Sequence, residues 1–178
     1  MSTGPAVPLE PGDELDLLLR PLTAADHPAV LALNAASVAV LSPLDEARLT
    51  EIAARCTAAF VVEDAAGAVV AFCLALPEGT DYDGDHHRWF AERYDRFLYL
   101  DRIVVAAGAR RRGVGSLLYD ACEAIAAAHG RMLCEVDVEP PNPTSLAFHA
   151  ARGYVEVGRR TGPTGKAVAL LAKELQDG

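Results

Sequence analysis

Residues 103–118 read IVVAAGARRRGVGSLL and join three patterns of different composition. The β-branched cluster at 103–105 ends an apolar run that predicts a strand over residues 97–105. A basic loop of small residues follows. Apolar residues then recur at helical spacing over 114–128, and Gly130 gives a stop signal. The stretch is therefore expected to form a strand, a loop and a helix.

The loop between this strand and this helix has the composition of a phosphate-binding site. Gly113 and Gly115 leave the backbone open at the helix start, where the first amides have no helical partner. The arginines at 110–112 would add charge-assisted hydrogen bonds. The alternative is a solvated, arginine-rich loop. Neither the Walker loop nor the Rossmann fingerprint fits, because the second glycine is not followed by Lys-Ser or Lys-Thr and G-x-G-x-x-G is missing.

Outward from this stretch, hydrophobic periodicity predicts further strands and helices on both sides. Residues 77–96 are polar, aromatic and acidic, and a helix is expected within them over 88–94. The other predicted elements are a strand ending at Pro21, helices over 24–36 and 42–55, a hairpin of 58–63 with 68–76, a strand over 132–138, a helix over 142–152, and strands over 154–157 and 166–175.

The helix that begins at Asn142 carries a polar stripe. Asn142, Ser145 and His149 recur at spacings of three and four residues, which aligns their side chains on one face. Asn142 followed by Pro143 is also a favourable helix start. The stripe fits the lining of a catalytic site, and a solvent-facing polar stripe is the alternative.

Composition excludes several classes of protein. The chain has 178 residues with 16 Lys and Arg against 25 Asp and Glu, which argues against nucleic acid or an anionic membrane as a partner. The four cysteines are far apart with apolar neighbours, so buried thiols are expected and no metal site. No signal peptide opens the sequence, and a cytoplasmic protein is expected. Residues 1–13 are expected to form a flexible arm before a single domain over 14–178.

Two motifs together resemble the GNAT superfamily of N-acetyltransferases. Arg110-x-x-Gly113-x-Gly115 is similar to its acyl-CoA loop, and the segment from Asn142 through Phe148 to Gly153-Tyr154 is similar to its second signature. The resemblance implies an α/β fold whose mixed, mostly antiparallel sheet is splayed into a V and flanked by helices. It also implies acetyl-CoA as cosubstrate. The cofactor-binding residues would be Ile103, Val104, Val105, Arg110, Arg111, Arg112, Gly113, Val114, Gly115, Ser116, Asn142 and Ser145.

The same resemblance implies acetyl transfer to a primary amine of a small molecule or peptide, by direct attack in a ternary complex. His149 stands where the family has a tyrosine that protonates the leaving thiolate, and it is the candidate acid. Asp101 is a candidate for the base, and Glu135 or Asp137 is another on the opposite side of the cleft. For Asp101, the alternative is a structural ion pair.

Four further interpretations remain open at this point. A CoA-binding sensor without catalysis would keep the cleft, and an unrelated nucleotide-binding module would prefer ATP or NAD. The acidic segment with Asp81, Asp83 and Asp85 is expected to border the acceptor site and favour a cationic amine, unless it is only a disordered loop. The last two strands could also pair between subunits in a homodimer.

Overall fold

A computed structural model describes residues 16–37 and 41–176 of this chain. The arm expected over residues 1–13 lies outside the described residues. Short 3-10 turns at Ala24–Asp26, Ala107–Ala109 and Ala127–His129 adjoin the longer elements. These are β1 (Leu18–Pro21), α1 (His27–Ala36), α2 (Glu46–Arg55), β2 (Ala58–Glu63), β3 (Val69–Pro77), α3 (Asp85–Ala91), β4 (Leu98–Val105), α4 (Val114–Ala126), β5 (Arg131–Glu139), α5 (Pro143–Ala151), β6 (Val155–Thr161) and β7 (Ala167–Glu174).

All seven strands belong to one sheet with the order β1-β2-β3-β4-β5-β7-β6. Every neighbouring pair is antiparallel except β4 and β5, which are parallel. That parallel pair is short, because only Leu98 with Met132 and Tyr99 with Leu133 are in register. Beyond Tyr99 the two strands separate, and the sheet opens into a V. The mixed, splayed sheet expected from the sequence is confirmed.

Alternate residues of β3 face two separate cores. Cys73 packs with Leu118 and Cys122 of α4 on one face of the sheet. Phe72 packs on the other face with residues of α1, α2 and α3, among them Phe90. Two helical layers thus bury the central strands from both sides, and the diverging ends of β4 and β5 are left to form a cleft.

The second helix begins later than the sequence indicates. The expected start at Ser42-Pro43 is wrong, because the side chain of Asp45 caps the helix by accepting the Arg48 amide at 2.8 Å. Ser42 is used elsewhere: its carbonyl oxygen accepts from Arg102 Nη1 at 2.7 Å and its hydroxyl from Arg102 Nη2 at 3.0 Å. A buried arginine, which local spacing does not reveal, therefore decides this helix boundary.

Two other boundaries also differ from expectation. The helix expected over 88–94 spans Asp85–Ala91, which buries His87 and Phe90. The helix expected over 24–36 starts with a 3-10 turn, where Asp26 Oδ2 accepts the Thr23 amide at 2.8 Å. The hairpin of β2 and β3 is confirmed, with Gly67 at φ +77° in its turn. None of the helices within the described residues is long and apolar enough to cross a membrane.

Candidate active site

The separation of β4 from β5 opens a cavity of about 540 Å³. Residues from the α1–α2 connection, α3 and the loop before it, α5 and the β6–β7 hairpin complete its wall. The cavity brings together ten of the predicted cofactor-binding and catalytic residues: Asp101, Ile103, Val104, Val105, Arg110, Glu135, Asp137, Asn142, Ser145 and His149.

One edge of β4 faces this cavity. From Leu100 to Val105 the strand pairs with β3 on one side only, because its pairing with β5 ends at Tyr99. Every second backbone N–H and C=O along this part therefore points to the side that β5 has left. Such an edge can bind an extended, amide-containing chain as an added strand.

The loop before α4 turns sharply enough to need left-handed backbone. Arg111 has φ +60° and Gly113, which caps α4, has φ +79°. A methyl group added at Gly113 or Gly115 would meet nothing within 4 Å, so the space beside the helix start is open. The first amides of α4 face that space without helical partners, which makes the loop suitable for an anion.

The structure divides the predicted cofactor residues into two groups. Arg110 lines the main cavity, whereas Arg111, Arg112, Gly113, Val114, Gly115 and Ser116 lie beyond its wall around the start of α4. Arg112 and buried Val114 line a separate cavity of about 270 Å³. Arg110 and Arg112 thus line different cavities, so the three arginines do not all line one site.

His149 makes a short hydrogen bond to a tyrosine that the sequence analysis did not select. Its Nδ1 lies 2.7 Å from the carbonyl oxygen of Ser145, so Nδ1 carries the hydrogen and donates it. Its Nε2 lies 2.5 Å from the Tyr119 hydroxyl, which then donates to the ring. Burial lowers the pKa of His149 and raises that of Tyr119, so both groups are neutral near pH 7.

The three carboxylates proposed as bases differ in their partners. Tyr82 donates to Asp101 at 2.6 Å and Arg102 Nε donates to it at 3.2 Å. Lys166 Nζ lies 3.2 Å from Asp137 Oδ2. Among the residues that the structure describes, the one side-chain donor to Glu135 is the Tyr99 hydroxyl at 2.9 Å.

The environment of Glu135 favours its protonated form. Burial raises the pKa of this carboxyl to about 8, and the nearby negative charges of Asp101 and Asp137 act in the same direction. A carboxyl with a pKa near the working pH can exchange a proton readily in either direction. Of the three candidates, Glu135 is the one whose surroundings tune it for proton transfer.

The acidic segment borders the cavity through one of its three aspartates. Asp85 lines the cavity together with Tyr82 and His86. Asp83 instead forms an ion pair with Arg48, and Asp81 is exposed. Within the described residues, no group of three or more His, Cys, Asp or Glu side chains is placed to hold a metal ion.

The model of the acetyltransferase (GNAT) family matches residues 29–154, well over half of this chain. The chain belongs to the GNAT family. The confirmed resemblance rests on the two motifs at Arg110–Gly115 and Asn142–Tyr154. A search of curated protein sequences gives no significant match.

Solved N-acetyltransferases share the fold of this GNAT chain. Ard1 from Thermoplasma volcanium superposes with a TM-score of 0.73 at 16% identity, covering 90% of this chain and 99% of that one. A phosphinothricin acetyltransferase from Sinorhizobium meliloti, solved in complex with AcCoA, gives 0.69 at 23%, covering 91% and 90%. The ribosomal-protein-S18-alanine N-acetyltransferase from Escherichia coli gives 0.67 at 15%, covering 91% and 96%.

Sequence reasoning missed Tyr119 and Arg160, two polar residues of this GNAT cavity. Tyr119 lies on the buried face of α4 and was indistinguishable from an ordinary core aromatic. The ion pair that was the alternative for Asp101 forms with Arg102, whose Nε lies 3.2 Å from Asp101 Oδ2; the contacts of Arg102 with Asn34 and Ser42, some 60 residues earlier in the chain, were not predicted. Arg160 lies on β6, where alternation with exposed Arg159 was the only available signal.

Proposed function

We propose that this chain transfers the acetyl group of acetyl-CoA to a primary amine of a small molecule or peptide. The amine would attack the thioester directly while both substrates are bound. One observation carries the proposal: a single cavity joins the free edge of β4 and Arg110 to the carboxyl of Glu135. The cavity can therefore hold an acyl donor and a proton acceptor side by side.

The acyl donor would be held mainly by backbone. The free edge at Ile103, Val104 and Val105 suits the amide-containing arm of CoA, and the open start of α4 suits its diphosphate. Arg110 at the cavity supplies positive charge. Backbone N–H groups near Val104 or Val105 would stabilise the oxyanion that forms at the thioester carbonyl. The S. meliloti relative in complex with AcCoA supports this choice of donor.

Glu135 would act as the base. A lysine-like amine, with a pKa near 10.4, is neutral in about one molecule of two thousand at pH 7, so attack requires removal of a proton. The ionised Glu135 takes that proton from the attacking nitrogen, directly or through one water. Asp101 and Asp137 would support this role, since their charges raise the proton affinity of Glu135.

The pair of Tyr119 and His149 would return a proton to the leaving sulfur. A proton that enters at His149 Nε2 can pass to the Tyr119 oxygen while the Tyr119 hydroxyl proton moves to the thiolate. Glu135 releases the amine proton to solvent and His149 takes one from solvent, so the amine loses one proton, the sulfur gains one and both groups return to their starting states. Because burial lowers the pKa of His149, its charged form is scarce near pH 7, and this route supplements protonation by water.

The proposal is tested with purified protein, acetyl-CoA and a panel of primary amines. Amine-dependent release of free thiol, with the acetylated amine identified by mass spectrometry, is the expected result. Tight acetyl-CoA binding in titration calorimetry without turnover on any amine would instead indicate a CoA-binding sensor. Displacement of CoA by ATP or NAD would indicate a nucleotide-binding module. The cytoplasmic location and a homodimer through the last strands stay predictions.

A further inference from the structure

The strand register sets an arginine opposite the carboxylates of the cavity. Val168 of β7 is directly opposite Asp137 of β5 and also directly opposite Arg160 of β6. Residues directly opposite in antiparallel strands project from the same face of a sheet. All three residues line the cavity. The register therefore presents Arg160 and Asp137 on one wall.

The guanidinium of Arg160 is fixed by a hydrogen bond that uses only part of its donor groups. Its Nη1 donates to the carbonyl oxygen of Asp85 at 2.7 Å, which ties β6 to the start of α3. Trp89 of α3 also packs so closely on Gly158 that a methyl group there would lie 2.7 Å from the indole. Within residues 16–37 and 41–176, the remaining N–H groups of Arg160 have no acceptor. Unused donors on a cationic group inside a cavity are suited to an anionic ligand.

The neighbours of Arg160 leave its positive charge dominant in this part of the wall. The Asp85 side chain is 72% exposed and lies 3.4 Å from Arg88, so water and a cation weaken its field. Burial, together with the charge of Arg160, lowers the pKa of His86, which is therefore neutral near pH 7. Lys166 lies 3.2 Å from Asp137 and offsets its charge. An anion entering this part of the cavity meets the guanidinium first.

The opposite part of the cavity suits an ammonium group. Glu135 precedes Asp137 by two residues and so projects from the same face of β5. Within the described residues, no cationic side chain lies within hydrogen-bonding distance of Glu135. Its carboxyl is mostly protonated near pH 7, and a bound ammonium group would favour the ionised form. Asp101, across the cleft, adds a negative charge that Arg102 partly offsets at 3.2 Å. Two strand spacings of about 4.8 Å and two residues along β5 separate the backbones of Glu135 and Arg160 by about 12 Å. Both side chains project from the same face of the sheet, so a small molecule with two polar ends can span that distance.

We infer that the acceptor is a small dipolar molecule, an amino acid or short peptide whose amine and carboxylate are both recognised. The amine lies against Glu135 and Asp101, and the carboxylate accepts hydrogen bonds from Arg160. This inference rests on the proposed acetyl transfer and adds the chemical class of the acceptor. A positively charged amine without an acidic group would satisfy only one part of the cavity.

Paired acceptors test the inference. The twenty amino acids and a set of dipeptides are each assayed beside their C-terminal amides, with acetyl-CoA at saturation. The wild-type protein is expected to use the best free acid about tenfold to hundredfold more efficiently than its amide, the range that a charge-assisted hydrogen bond supplies. Calorimetric titration of the same acid and amide, without acetyl-CoA and with CoA, gives a readout that does not require turnover.

Two neighbouring arginines provide a matched pair of variants. In Arg160→Gln, the preference for acid over amide should fall to about threefold or less, through a higher KM for the acid, while the Kd of acetyl-CoA stays the same. Arg159→Gln removes a guanidinium from the next residue of β6, which is 62% exposed and pairs with Glu156. That variant should keep the wild-type preference. Thermal unfolding of both variants checks that β6 is intact, and Arg160→Lys should recover part of the preference.

The outcomes separate the inference from the proposed function. Equal use of acids and amides, or turnover of alkylamines and polyamines alone, would overturn the dipolar acceptor and leave acetyl transfer standing. An unchanged preference in folded Arg160→Gln would also overturn it. Bound acetyl-CoA with no turnover on any amine would overturn the proposed function itself.

Discussion

The two parts of the cavity are built in different ways. The part assigned to the acyl donor comes from one continuous segment, in which β4, its loop and the start of α4 follow one another over residues 98–116. The part assigned to the acceptor and to proton transfer takes Glu135, His149 and Arg160 from three separate elements and Tyr119 from a fourth. A backbone site can be recognised in a short motif, whereas a side-chain site depends on how distant strands are aligned.

This contrast also predicts how the two parts respond to substitution. Backbone groups cannot be removed by changing a side chain, so the donor part should fail only when a new group fills its space. The acceptor part acts through individual carboxyl, hydroxyl and guanidinium groups, so conservative changes should alter chemistry and leave donor binding intact.

Gly113→Glu should produce the largest effect. The variant places a carboxylate where the diphosphate would bind, and it forces a residue with a side chain to adopt φ +79°. Acetyl-CoA binding measured by calorimetry should weaken by at least about a hundredfold, equivalent to about 3 kcal/mol. Gly113→Ala shares the backbone strain without the charge, and it should keep most of the affinity.

The comparison of these two variants is decisive for the loop. Because nothing lies within 4 Å of a methyl group at Gly113, the alanine variant does not need to displace neighbouring atoms. Normal affinity in Gly113→Glu would show that the diphosphate binds somewhere other than this helix start.

Glu135→Gln should have the next largest effect and should spare donor binding. Loss of a general base lowers turnover by about 10² to 10³-fold, and the Kd of acetyl-CoA should not change. In the wild-type protein, kcat/KM should rise with pH up to about 8, because the base works only when ionised. The variant should lack that limb of the profile.

Glu139→Gln is the control for this prediction. Glu139 is exposed at the end of the same strand and does not line the cavity, so its variant should retain the wild-type pH profile. Wild-type turnover in Glu135→Gln would move the role of base to Asp101 or Asp137.

The sequence predicted the donor part because its signals are local. Strand, loop and helix follow one another at 98–116, and the glycine that permits φ +79° is itself visible in the motif. The overall fold was also predictable, since its strands alternate clearly and two motifs fix the family. The start of α2 was not, because Arg102 competes for the polar atoms of Ser42 from a strand far along the chain.

The acceptor part was predictable only as a set of candidates. Asp101, Glu135 and Asp137 were recognised as candidate bases, but their ranking depends on the side chains that contact them in the folded chain. Arg102 and Tyr82 contact Asp101, Lys166 contacts Asp137, and Tyr99 contacts Glu135. Arg160 became a candidate through the register of β5, β7 and β6. Strand register is a property of the whole sheet, so no local pattern carries it.

His149→Phe should have a smaller effect than the loss of Glu135. The variant removes the ring nitrogen that accepts from Tyr119, and it replaces one planar ring by another of similar size. Turnover should fall by about tenfold, below the usual range for an acid, because the charged form of His149 is scarce. The Kd of acetyl-CoA should stay near its wild-type value, and Tyr119→Phe should show a similar decrease. Full activity in both variants would leave the pair with a packing role alone.

The smallest effect concerns stability, and it tests the acceptor part without any substrate. Burial raises the pKa of Glu135 from 4.5 to about 8, so the folded chain binds this proton more tightly than the unfolded chain does. The corresponding stability is present below about pH 4.5 and is lost as the pH rises through 8. Glutamine does not titrate, so the stability of Glu135→Gln relative to that of the wild-type protein should increase between pH 5 and pH 8.5. The gain should stay below the roughly 4 kcal/mol that the full shift would give over this pH range, because Glu135 lines an open cavity, and it should amount to a few degrees in Tm.

Comparison at two pH values isolates this one group. Every other titrating side chain is shared by the two proteins, so only a change in the Tm difference between pH 5 and pH 8.5 counts. Glu139→Gln, at an exposed site, should show a constant difference. A constant difference for Glu135→Gln as well would mean that Glu135 ionises with an ordinary pKa in the folded chain. The acceptor part would then lack a tuned base, and the contrast between the two parts of the cavity would reduce to the donor site alone.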